Sequence, residues 1–121
     1  MYSAESRLGR CFNPHREDTV MSVIVTVQFP VDDVAKAIEG LHANASFFEQ
    51  TTADTKSGGI ISHRFVAGEG ELMVIDEWET AEQFHSFFAA HPKIGDVMGS
   101  IGMSGPPTIT VYESVDAPGT V

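Results

Sequence analysis

A chain of 121 residues, 42% hydrophobic and 20% charged, has the size and composition of one globular domain with its own core, not of a disordered segment. Seventeen Asp and Glu stand against seven Lys and Arg, a net charge of −10; that balance repels phosphate backbones and makes nucleic acid and anionic membranes poor partners. No apolar run reaches the roughly 18 residues a membrane span needs, and Cys11, the single cysteine, allows no intrachain disulfide or multi-cysteine zinc site.

Residues 1–20 mix Ser, Asn, Pro and balanced charge without an apolar period. They are expected to form a flexible extension ahead of a domain over residues 21–116, with a tail over 117–121. The N-terminus shows no signal-peptide pattern, which sets the expectation of a cytoplasmic protein.

The β-branched run from Ser22 to Phe29 predicts a first strand, ended by Pro30, which cannot donate to a ladder. Asp32 offers an N-cap, and Asp33 suits the positive end of a helix dipole. Val34, Ile38, Leu41, Ala45 and Phe48 then fall on one stripe, predicting a helix to about Glu49 or beyond. Gly58-Gly59 breaks it. Ile60–Ala67 and Glu71–Glu79 flank Gly68-Glu69-Gly70 and predict an antiparallel hairpin. Thr80-Ala81-Glu82-Gln83 has the form of a capping box. Phe84, Phe87, Phe88 and His91 line the helix it opens, which ends at the His91-Pro92 step. A short helix over Lys93–Ile101 and a last strand over Thr108–Glu113 follow.

The order β-α-β-β-α-β predicts an α+β fold of the ferredoxin-like type: a four-stranded antiparallel sheet with both long helices on one face. Strands facing water on one side alternate apolar and polar residues. Val23, Ile24, Val25 and Val27 in the first strand, and Leu72, Met73, Val74 and Ile75 in the third, do not. Apolar residues on both faces ask for a cover on the helix-free side. A second copy of the sheet is the simplest, giving a homodimer through sheet faces.

Val27-Gln28-Phe29-Pro30-Val31-Asp32, Glu77-Trp78-Glu79-Thr80-Ala81-Glu82-Gln83-Phe84 and Gly105-Pro106-Pro107 resemble the antibiotic biosynthesis monooxygenase family of the dimeric α/β-barrel superfamily, over residues 22 to about 114. The resemblance implies the dimeric α/β-barrel architecture. For members that oxidise aromatic polyketides without metal or flavin, it implies an Asn and a Trp on the third strand and an Arg further along. This chain keeps Trp78 but has Val74 at the Asn position and Met98 at the Arg position. The haem-degrading branch uses an Asn, a Trp and a His at positions that fall on Val27, Phe87 and Val97, and none matches.

Cofactor-free oxygenation needs a substrate that can itself give an electron to oxygen, and a protein that removes a proton, holds the anion and excludes water. Histidine is the natural base. Of His15, His42, His63, His85 and His91, His42 and His85 stand at the edges of the two helical stripes and are the candidate catalytic residues. His63 is expected at a dimer contact or the surface, and His91 as a helix C-terminal cap. Trp78, Phe48, Phe84 and Phe88 are candidate walls for a small apolar or aromatic ligand. His85 and His91 are six apart, off one helix face, so no metal site is expected, and no cofactor. The first expectation is therefore a cofactor-independent monooxygenase acting on a small aromatic or quinol-like molecule in a sheet–helix cleft. A cyclase or isomerase on the same fold, or a non-enzymatic dimer that binds a small molecule, stays open beside it.

Overall fold

A computed structural model describes residues 22–119. The N-terminal extension expected over residues 1–20, with Cys11 and His15, lies outside the described residues, as do the last two residues of the tail. Strand β1 is Val23–Pro30. Helices α1, Val34–Ala43, and α2, Ala45–Thr55, follow, with a short 3-10 turn, Lys56–Gly58. Strands β2, Ile60–Gly68, and β3, Glu71–Trp78, make the hairpin. Helices α3, Ala81–Ala90, and α4, Lys93–Ser100, precede β4, Thr108–Glu113. The sheet runs β2-β3-β1-β4, antiparallel at every pairing, which is the ferredoxin-like order the chain predicts. Among the described residues no helix is long and apolar enough to cross a membrane.

The helix predicted as one piece is two. Asn44 sits at the junction with φ −107 and ψ 27, and its side-chain Nδ2 donates to the Gly40 carbonyl at 2.8 Å. A short amide that competes for the backbone in this way interrupts a helix. Beyond it α2 continues past Glu49 to Thr55, with Thr51 donating to the Phe47 carbonyl and Thr55 to the Thr52 carbonyl. The N-cap of α1 is Asp33 rather than Asp32: its carboxylate accepts from the Lys36 amide at 3.1 Å. The buried residue of α1 is Ala37, while Ile38, expected on the inner stripe, is 37% exposed. By contrast, Thr80 and Gln83 form both halves of the predicted capping box, and His91 is the C-cap of α3.

Strand register assigns the two faces. Val23, Val25, Val27 and Phe29 of β1, with Leu72, Val74, Asp76 and Trp78 of β3, are buried toward the helices. Their alternates Ile24 and Thr26, Met73 and Ile75, are half-buried on the helix-free side. The hairpin turns over Glu69-Gly70, where Gly70 adopts φ +71, a conformation that favours glycine. Pairing of Gly68 with Glu71 then sets Phe65 opposite Val74 and His63 opposite Asp76. An irregularity between Ile60 and Ser62 interrupts this register at the other end and leaves Ile61 53% exposed.

The core centres on Val25, Ala37 and Trp78, all fully buried, with Leu72, Met98 and Phe84 around them. Gly40 brings α1 onto the residue that follows α4: a Cβ there would lie 2.6 Å from both Cβ and Cγ2 of Ile101. Helix propensity alone favours alanine at Gly40 by about 1 kcal/mol, but overpacking of this kind costs about 1–3 kcal/mol. Gly40→Ala is therefore expected to lower the urea midpoint of unfolding without changing the slope; a raised midpoint would show that α1 can move off Ile101 at little cost.

Candidate functional site

The hairpin register places a histidine and a carboxylate side by side on the helix-facing surface of the sheet. Asp76 is 5% exposed, so its carboxylate needs partners to remain inside. It has two. The Trp78 indole Nε1–H donates to Oδ2 at 3.2 Å, and His63 Nδ1 lies 2.6 Å from Oδ1. An ionised carboxylate only accepts, so Nδ1 carries the proton in this pair, and Nε2 is the ring nitrogen left for another partner. No described residue takes it. The His63 side chain is 29% exposed and rests edge-on against Phe65, with ring centroids 5.3 Å apart.

His63 and Asp76 line a cavity between the sheet and the helices. Its sheet wall includes Val27, Phe29, Phe65 and Val74, and its helical wall Phe48, Thr52, Phe84, Phe87, Phe88 and Met98. The void is about 70 Å³, roughly half of the ~150 Å³ cavity that admits benzene in an engineered core. A ring-sized ligand therefore enters only if a lining side chain turns aside. Phe87 and Phe88 are the half-buried rings of α3 in that lining.

The residues expected at the site are distributed unevenly. Phe48, Phe84 and Phe88 line the cavity. Trp78 does not: it is fully buried behind the wall, tilted against Phe87 with centroids 5.5 Å apart, and reaches the cavity through its bond to Asp76. His42 is exposed in the last turn of α1. His85 is exposed on α3, edge-on to Phe84. Neither is among the residues that line the cavity. His91 bonds the Phe87 carbonyl through Nδ1 at 2.8 Å and stands 3.7 Å from Asp54. Among the described residues no group of three or more His, Cys, Asp or Glu is placed to hold a metal ion.

His63, expected at a dimer contact or the surface, lines the cavity. A signal for it existed. Phe65, two residues on, belongs to the inner face, and the tight hairpin makes Asp76 the cross-strand neighbour of His63. Val74 and Met98, at the positions of the family's Asn and Arg, both line the cavity.

No family model matches the chain, and no curated protein sequence matches it. Solved structures do. A monooxygenase from the gene ActVA-Orf6 of Streptomyces coelicolor, in complex with nanaomycin D, superposes with a TM-score of 0.63 at 18% identity, covering 87% of this chain and 96% of that one. SnoaB, a cofactor-independent oxygenase from Streptomyces nogalater, gives 0.56 at 12% identity, over 82% and 98%. A dimeric ferredoxin-like protein from an uncultured marine organism gives 0.58 at 11% identity, over 84% and 92%. The structural neighbours thus include a monooxygenase, a cofactor-independent oxygenase and a protein from Caulobacter crescentus described as a putative antibiotic biosynthesis monooxygenase, and at these identities the likeness establishes the shared fold.

Trp78→Phe keeps most of the ring in the core but removes the donor to Asp76 Oδ2. A buried carboxylate losing one hydrogen bond costs about 1–3 kcal/mol. The expected outcome is a loss of that size in urea unfolding, largely absent when the same change is made on an Asp76→Asn background. Equal losses on both backgrounds would mean that the indole acts by packing alone.

Proposed function

We propose that the protein is a cofactor-independent monooxygenase in which His63, held by Asp76, is the base, and the phenylalanine-lined cavity binds a small hydroxylated aromatic or enolic substrate. The observation that carries this reading is the single free ring nitrogen of a carboxylate-anchored histidine at an apolar cavity. Asp76 holds Nδ1–H, so Nε2 is the basic atom, and the phenylalanine lining offers the anion that forms an apolar surrounding. The reaction that suits this site starts with transfer of an acidic proton from the substrate to Nε2. The anion gives one electron to dioxygen, producing superoxide and a substrate radical. Their recombination forms the carbon–oxygen bond of a peroxide. Loss of water from a peroxide at a ring-activated CH2 leaves a carbonyl, so CH2 and O2 become C=O and H2O, with the proton borrowed by His63 returned to the leaving oxygen.

The oxygenase neighbours support the reaction type. His42 and His85, the bases first expected, have no part in this reading. Oxygen uptake with a panel of hydroquinones and ring-activated methylene compounds tests it. His63→Ala and Asp76→Asn are expected to reduce the rate by about 10²–10⁴-fold, the usual worth of a positioned base, while His42→Ala and His85→Ala leave it within twofold. A rate insensitive to His63→Ala would remove the proposed base.

A second reading is favoured by the apolar replacements at Val74 and Met98: a non-enzymatic dimer that binds its ligand in the same cavity. Ligand binding without oxygen consumption by any of the panel would select it. Under either reading the protein works as a homodimer through the helix-free sheet face, where Ile24, Met73 and Ile75 are only half-buried in the protomer and the dimeric ferredoxin-like neighbour supplies a precedent. Thr26 lies at the middle of that face, between Ile75 and Thr110. The native protein is expected to sediment as a dimer at micromolar concentration, and Thr26→Arg as a folded monomer; a native protein that sediments as a monomer rules the face-to-face pairing out.

A further inference from the structure

The cavity has an unusual polar inventory for a site meant to hold an anion. Among the described residues the Lys and Arg side chains are Lys36, Lys56, Arg64 and Lys93, and none lines it. Arg64 is adjacent to His63, but strand alternation turns it to the opposite face of the sheet, away from Phe65 and His63. The acidic side chain in the lining is Asp76. A ligand carboxylate or phosphate entering here loses water and faces the Asp76 carboxyl with no Lys or Arg in the lining to compensate, which is unfavourable.

Three threonines of α2 supply the remaining polar groups of the lining. Thr51 and Thr55 spend their hydroxyl protons on the carbonyls of Phe47 and Thr52. Thr52, half-buried on the helical wall, makes no side-chain hydrogen bond to any described residue. Its hydroxyl can therefore both donate and accept, while His63 stands on the sheet wall. The void of about 70 Å³ limits what fits between them to about a single ring, even with a phenylalanine turned aside.

We infer that the cavity selects uncharged single-ring ligands carrying two hydroxyl groups, one held by His63 and the other by Thr52, and that it excludes carboxylates and phosphates. Thr52 is a specificity-determining residue here, while the anchored histidine supplies the contact that all hydroxylated ligands share. The inference rests on the reading above that this cavity is the ligand site, but not on any reaction with oxygen.

Anaerobic calorimetric titration of the full chain with hydroquinone, phenol and 4-hydroxybenzoate tests it. Hydroquinone is expected to bind roughly three- to tenfold more tightly than phenol, the worth of one additional neutral hydrogen bond. 4-Hydroxybenzoate is expected to bind at least tenfold more weakly than phenol. Thr52→Val should bring hydroquinone down to the affinity of phenol and leave phenol unchanged, and Thr52→Ser should restore the difference; urea unfolding of both variants shows that the fold survives. 4-Hydroxybenzoate binding as tightly as phenol overturns the charge selection. A hydroquinone preference that survives Thr52→Val overturns the role of Thr52, and failure of all three probes to bind overturns the whole. A protein that binds as expected but never consumes oxygen with the wider panel defeats the oxygenase reading and leaves this one standing.

Discussion

A carboxylate held out of water between an indole and an imidazole is the constraint from which the site follows. Asp76 sits on a central strand of the sheet, 5% exposed, where an unpaired charge would cost several kcal/mol. Trp78 and His63 satisfy one oxygen each. The arrangement ties three positions together: the indole stays buried beneath the start of α3, the imidazole stays in one tautomer, and the hairpin stays in one register. A slip of one residue in that hairpin would carry His63 to the other face of the sheet and leave the carboxylate half-satisfied. The fold and the cavity wall thus draw on the same three side chains.

The sheet separates two apolar tasks by strand parity. Alternate residues of β1 and β3 build the core and the cavity floor, and the residues between them form the helix-free face. Aromatic residues on the helical side then divide again. Phe84 and Trp78 are buried, edge-on with centroids 5.9 Å apart, while Phe87 and Phe88 are half-buried; Phe84, Phe87 and Phe88 border the void. A cavity bordered by side-chain rings rather than by backbone can stay small when empty and still admit a ligand, since a side-chain rotation costs far less than moving a packed strand.

The fold was legible in the sequence because its signals are local. Pro30, the Gly68-Glu69-Gly70 turn and the Thr80 capping box each fix an element boundary within a few residues. The break at Asn44 was harder to read, since the apolar stripe continues through it and only the competition of the Asn44 amide for the Gly40 carbonyl reveals the kink. The placement of Ile38 and Ala37 was misread for a related reason. Gly40 lets α1 approach Ile101 closely, and the helix rotates to bury the smaller side chain. Phe48, Phe84 and Phe88, which the sequence offers as candidate walls, line the cavity, although helical spacing by itself marks such residues only as core.

What the sequence by itself determined is the order of elements, the topology they allow and the apolar character of both sheet faces, all consequences of periodicity and turn chemistry acting over a few residues. It also determined that no cluster of cations offers itself to a polyanion. Only the tertiary structure decided which histidine meets the cavity. His42 and His85 lie beside apolar helix positions, but a residue one step along a helix is turned by about 100°, and both end in solvent. His63 and Asp76 are 13 residues apart in the chain and become neighbours because a two-residue turn sets the strand register. That pairing is a cross-strand contact, and the energy that selects it, burial of a carboxylate with both its oxygens satisfied, exists only once the sheet and its helices have closed over it.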